Sequence, residues 1–182
     1  MCRQSRRLYL IESCGEYMKH TLSVLVENHA GVLSRISGLF SRRGFNIDSL
    51  AVGVTDNPDI SRITIVAEGT EYTLEQIEKQ LNKLIDVIKV RTLCSDELIQ
   101  RELLLIKVHV GAEKRSEIMT IAEIMNAKII DLSHSTITLE LSDTTYHLAR
   151  FEEMLKPYGI AEIVRTGAIA IQKGSDALQV KK

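Results

Sequence analysis

The chain has 182 residues, 45% of them apolar and 26% charged, with a formal net charge of −1, a make-up that suits one globular domain or two small ones. Near-neutral charge leaves no electrostatic footprint for nucleic acid or an anionic membrane, and 4% aromatic residues without a Trp offer few stacking surfaces for RNA. No apolar run approaches the roughly eighteen residues that span a bilayer.

Residues 1–17 differ from the rest. Arg3, Arg6 and Arg7 precede Leu8-Tyr9-Leu10-Ile11, and Glu12 ends that apolar run short of the roughly 7–15 residues of a secretory signal. The segment reads as a disordered extension or as residues ahead of a start at Met18, while its Arg and Ser content also fits a plastid transit segment. Cys2, Cys14 and Cys94 have neither CxxC spacing nor an even count. They suit reduced thiols in the cytoplasm better than a disulfide framework or a zinc site.

Thr21 to Glu27 alternates Leu22, Val24 and Val26 with polar neighbours, the pattern of a strand. A tight polar segment, Asn28-His29-Ala30-Gly31, leads into a helix ending at Arg43, whose Val32, Leu33, Ile36, Leu39 and Phe40 keep the spacing of one buried face. Gly44 is placed to end the helix. Phe45 to Val54 reads as a strand, Asp56 to Asp59 as a turn, and Ser61 to Glu68 as a third strand broken by Gly69-Thr70. Leu74, Ile77, Leu81 and Leu84 are at helical spacing behind Thr73, a candidate N-cap with Gln76 three residues on. Val87 to Leu93 completes the order βαββαβ, a ferredoxin-like split βαβ. Connection rules then place the first strand centrally, the third beside it and the second outside as an edge. Its small Ala51 and Gly53 leave backbone open for pairing with a second copy.

Cys94 to Arg101 is polar and reads as a linker. The pattern then recurs as strand Leu103–Val110, helix Lys114–Met125, strands Lys128–Leu132 and Thr136–Leu141, helix Thr145–Leu155 and a strand region Ile160–Ile171. Pro157 and Gly159 stop the second helix, and Gly167 marks a bend or bulge. Ser175 to Lys182 reads as a frayed tail. The expected fold class is therefore α+β, two ferredoxin-like βαββαβ domains in tandem at 18–94 and 102–174, joined by 95–101. Each is only about 75 residues, where a single core is marginal, so dimerisation or docking is the expected remedy.

The run LSVLVENHAGVLSRISGLFSRRGFNI, from Leu22 to Ile47, closely resembles the opening of the ACT domain in the small, regulatory subunit family of acetolactate synthase. The resemblance continues through Ser49-Leu50, Asp59 to Ile65 and Leu74 to Leu84. It is strong over roughly Met18 to Thr92, and looser beyond, ending in Arg165-Thr166-Gly167. The resemblance implies an ACT domain that binds valine or a related branched-chain amino acid. It also implies a separate large catalytic subunit, carrying thiamine diphosphate, Mg²⁺ and FAD, on which feedback inhibition and activation are conferred. This chain would carry none of those cofactors and no active site. Its five histidines lie at no motif spacing from acids or thiols, HExxH, GxSxG, P-loop and GxGxxG patterns are absent, and its paired carboxylates, such as Glu152-Glu153, lie on polar helix faces.

A strand handing over to a helix leaves backbone N–H groups unpaired at the positive end of a dipole, a place suited to a small carboxylate. Asn28 carries an amide that both accepts from an ammonium and donates to a carboxylate, or else it merely ends a strand and satisfies a turn. Gly31 serves a positive-φ turn, close ligand approach, or both. Ala30, Val32 and Leu33 would supply N–H groups and apolar lining, with core packing an equal reading for the last two. Asn46, on the edge strand, would reach the helix start of a partner in a homodimer, and Ile47 would touch an aliphatic side chain or join the core. The family pattern favours ligand contact at Asn28 and Asn46. His29 reads as exposed and not a ligand, and Arg42-Arg43 complement the helix dipole. The alternative to a subunit of acetolactate synthase is a free-standing ACT-type sensor acting on another enzyme. A third reading, an RNA-binding ferredoxin-like protein, runs against the charge and aromatic counts.

Overall fold

The computed structural model describes residues 18–93 and 98–179, so the predicted extension, residues 1–17, lies outside the described residues. Contacts divide it into two units, one of residues 18–93 with 175–179 and one of residues 98–174.

In the first unit, β1 (Met18–Glu27) is followed by α1 (Val32–Arg43), β2 (Ile47–Val54), β3 (Ile60–Gly69), α2 (Glu71–Leu81) and β4 (Val87–Leu93). The sheet order is β2-β3-β1-β4 and β2 lies at an edge, as the connection rules require. Leu22, Val24 and Val26 on β1 pack with Ile63, Ile65 and Ala67 of β3 beneath Val32, Ile36, Leu39, Phe40, Ile77 and Leu81 of the helices. Burying such branched side chains contributes about 1.5–3 kcal/mol each before entropy is counted. Gly44 ends α1 in a left-handed conformation (φ 67°), its N–H donating to the Ser41 carbonyl while the Phe45 N–H donates to that of Phe40. The helix therefore stops where the glycine stands.

Three expectations shift. Thr70, not Thr73, caps α2, because its extended backbone lets Oγ1 accept from the Thr73 N–H at 3.3 Å. Strand β2 begins at Ile47, and a register irregularity against β3 separates Ile47 from Ser49. The third shift concerns β1, whose opposite face is also covered: Thr21, Ser23 and Leu25 are all buried. The expected frayed tail accounts for part of this. Arg62 Nη2 donates to the Leu178 carbonyl at 3.0 Å and Lys89 Nζ to that of Gln179 at 3.2 Å. Arg62 and Lys89 flank Leu25 in the sheet register, and Leu178 is itself buried. Residues 175–179 thus lie on the sheet face away from the helices.

In the second unit, β5 (Leu98–His109) leads through a short 3-10 turn, Ala112–Lys114, to α3 (Arg115–Ile124). Strands β6 (Lys128–Leu132) and β7 (Thr136–Asp143) follow, then α4 (Thr145–Leu155), β8 (Ile160–Arg165) and β9 (Ile169–Gln172). The order is β6-β7-β5-β8, with β9 also on β5. Leu104, Ile106 and Val108 pack with Ile118, Ala122, Ile137, Leu139, Leu148, Phe151 and Leu155. The expected linker is shorter than predicted: Leu98 to Arg101 already belong to β5 and pair with Ile169 to Gln172. Gly167, at φ 79°, makes the expected bend and splits the last strand region into β8 and β9. Among the described residues no helix is long and apolar enough to cross a membrane.

Candidate effector site

The β1–α1 loop is held from two sides. The Asn28 N–H donates to the Asp59 carbonyl at 2.8 Å, and its side-chain Nδ2 donates to the Pro58 carbonyl at 2.8 Å. Both bonds tie the end of β1 to the β2–β3 turn, so the donor half of the amide is occupied within the fold. Among the described residues its Oδ1 has no partner, and that oxygen is the part able to accept from an ammonium.

Gly31 is the N-cap of α1 at φ 92°, with no side-chain cap and no acidic residue in the first turn. A left-handed start suits glycine because other residues meet their own carbonyl there. The first intrahelical bond runs from the Arg35 N–H to the Gly31 carbonyl at 3.0 Å. The N–H groups of Val32, Leu33 and Ser34 consequently have no place in the helical ladder. A Cβ built on Gly31 would meet nothing within 4 Å, so the space above the helix start is open. Ala30 is exposed, Leu33 half-exposed and Val32 buried in the core. Ile47 is partly buried against that same core. Asn46 is exposed outside β2, its Nδ2 donating to Asp48 Oδ1 at 2.8 Å. The loop thus brings Asn28, Ala30, Gly31, Val32 and Leu33 together.

Sequence reasoning missed a charged cluster beside this loop. His29 is exposed as expected, yet its Nε2 lies 3.2 Å from Asp86 Oδ1 and 3.3 Å from Glu27 Oε2, while Nδ1 faces the Ala30 carbonyl at 3.1 Å. Arg35 donates to the other Asp86 oxygen, and the Asp86 carbonyl accepts from the Glu27 N–H at 3.0 Å. Asp86, only 5% exposed, therefore joins the end of β1, the loop and the first turn of α1. A second pair, His147 Nδ1 with Asp143 Oδ2 at 3.0 Å, lies at the start of α4. Histidines thus do meet acids here, across chain separations or helix starts that carry no motif. Among the described residues neither imidazole has a hydroxyl or thiol partner.

The Ala30 carbonyl, and after it the Asp86 and Glu27 charges, hold the His29 ring above its ordinary value of 6.5 against desolvation. The Arg35 guanidinium, by hydrogen bond and charge, and then His29, hold Asp86 below its ordinary 3.8. By linkage, a raised His29 stabilises the fold fully below about pH 6.5 and that contribution fades as pH rises through its folded value. The Asp86 contribution is present above 3.8 and is lost as pH falls through its depressed value. In chelator, the melting-temperature gap between wild type and His29→Ala is therefore expected to be widest below pH 6.5 and to shrink at alkaline pH. A gap that widens with pH would overturn the assignment.

Known proteins carry the same pattern. The profile described as "AHAS small subunit-like ACT domain" matches residues 22–89, and that of "Small subunit of acetolactate synthase" matches residues 101–174. The chain is 48% identical to a probable acetolactate synthase small subunit of Archaeoglobus fulgidus, over 87% of this chain and 99% of that one. It is 47% identical to the acetolactate synthase small subunit of Mycolicibacterium smegmatis, over 90% and 96%. The crystal structure of the acetolactate synthase small subunit from Thermotoga maritima superposes with a TM-score of 0.82 at 37% identity, covering 87% of this chain and 99% of that one. With an ACT-type unit followed by a second ferredoxin-like unit and this likeness along nearly its whole length, the chain belongs to the acetolactate synthase small subunit family.

Proposed function

We propose that this chain is the non-catalytic regulatory subunit of acetolactate synthase and that it binds valine, or a related branched-chain amino acid, at the β1–α1 loop. The observation that carries this reading is the bare start of α1. It has no side-chain cap, no acidic residue in its first turn and open space above Gly31. The effector carboxylate lies on the N–H groups of Val32 and Leu33, its ammonium on Asn28 Oδ1, and its side chain toward Leu33. Helix-end placement contributes about 0.3–2 kcal/mol, and hydrogen bonds and burial supply the rest.

Two copies pair through β2, which brings Asn46 and Ile47 of one protomer to the helix start of its partner. The effector then stabilises one arrangement of the homodimer, and that arrangement couples differently to the large catalytic subunit. Couplings of this kind amount to about 1–3 kcal/mol, or 5–150-fold. Such a pocket separates valine from one extra methylene by only about 1–3 kcal/mol, so leucine and isoleucine cross-react. The partner holds thiamine diphosphate, Mg²⁺ and FAD, and the complex acts in the cytoplasm in branched-chain amino acid synthesis.

Mixing the chain with an acetolactate synthase large subunit and titrating valine tests this reading. Raised activity and valine-dependent inhibition are expected. A chain that binds valine but neither co-purifies with nor alters the large subunit is a sensor for another enzyme. Asn28→Ala is expected to weaken valine inhibition about 5- to 20-fold, because it removes the ammonium acceptor and loosens the Pro58 anchor. An unaltered inhibition curve would remove Asn28 from the site.

A further inference from the structure

We propose that Glu27, His29 and Asp86 form a binding site for a divalent transition-metal cation of the zinc class, built on the β1–α1 loop. Their ligand atoms all lie within 4.8 Å of one another. The separations of His29 Nε2 from the two carboxylate oxygens, 3.2 and 3.3 Å, match the roughly 3.3 Å edge of a tetrahedron with Zn–N and Zn–O bonds of about 2.0 Å.

The hydrogen bonding of the ring fits the same assignment. Nδ1 faces the Ala30 carbonyl at 3.1 Å, and a carbonyl only accepts, so Nδ1 carries a proton and Nε2 is the atom presented to the two carboxylates. Without a metal, a proton on Nε2 is shared between the two carboxylate oxygens. A metal cation takes the place of that proton, accepting electron pairs from all three side chains at once. The arrangement outside the ligands has the form such sites use. The Nδ1–H is anchored to backbone, fixing the tautomer, and the second Asp86 oxygen is bound by Arg35. Arg35 also places a positive charge nearby, which limits affinity.

Imidazole selects zinc, cobalt or nickel over magnesium and calcium. Glu27 and His29 are exposed while Asp86 is buried, so the open fourth position faces solvent. Because the metal competes with a proton for Nε2, affinity rises with pH until His29 is deprotonated.

Titrating the full-length, thiol-alkylated chain with Zn²⁺ by calorimetry tests the site without any amino acid or partner. One equivalent is expected, weakened about 10- to 100-fold in His29→Ala and in Glu27→Gln, both changes at exposed positions, with no response to Mg²⁺. Titration with Co²⁺ is expected to give visible bands of a nitrogen–oxygen site that vanish in His29→Ala. A wild-type chain without the equivalent, or variants that bind Zn²⁺ as wild type does, would overturn the proposal.

Discussion

Replacing Gly31 with Asp is expected to abolish valine inhibition in the reconstituted enzyme while leaving subunit assembly intact. The new carboxylate would stand at the start of α1, where no acidic side chain occurs in the first turn and where we propose that the effector carboxylate binds. Attraction to the helix end is thereby replaced by repulsion of similar size, a swing of about 1–3 kcal/mol, or 5–150-fold in effector affinity. The substitution also strains the left-handed backbone at φ 92° by about 1–2 kcal/mol. Gly31→Ala separates the two causes. It carries the same strain without charge, and a Cβ there meets nothing within 4 Å. Inhibition curves for the two variants, with gel filtration to follow assembly, decide the matter. Unchanged valine sensitivity in Gly31→Asp would count against the site.

Phe151→Ala is expected to cost about 3–5 kcal/mol in the C-terminal unit. Phe151 is fully buried on α4 in one core cluster with Leu104, Ile106 and Leu148, and truncating its ring removes that burial and opens a cavity in the core. A unit of about 75 residues has little stability to spare, so its thermal transition should fall by at least about 12 °C. Tyr146→Ala on the same helix removes a ring that is 67% exposed, and such surface changes stay within about 0.5 kcal/mol. Parallel melts of the two variants provide the check. Equal losses would mean that α4 does not bury the face assigned to it.

The parts of the fold legible beforehand are those written in short-range patterns. Leu22, Val24 and Val26 alternate, Val32, Ile36, Leu39 and Phe40 recur at helical spacing, and Gly44 and Gly167 stand where the chain turns left-handed. Polar residues misled at three places. Gln100 and Arg101 read as linker because their strand pairs with β9 about seventy residues later. Thr73 read as a cap because both threonines fit the role, and only the extended backbone of Thr70 chose between them. Residues 175–179 read as tail because their anchors, Arg62 and Lys89, lie far back in the chain. Within the site, Asn28 and Gly31 were legible as a strand-to-helix hand-over. That Asn28 spends its amide donor on Pro58 was not, since two carbonyl acceptors look alike until the turn is placed.

By itself the sequence determined the order βαββαβ twice over, the edge position of β2 and a helix start without a cap. Periodicity, glycine placement and connection rules act over a few residues and need no coordinates. The tertiary structure alone decided that Asp86, 51 residues from Arg35, closes a cluster with His29 and Glu27, and that the chain's last described residues lie on the sheet. Contacts between side chains distant in sequence depend on register and packing, and no local pattern encodes which charged residue will meet which.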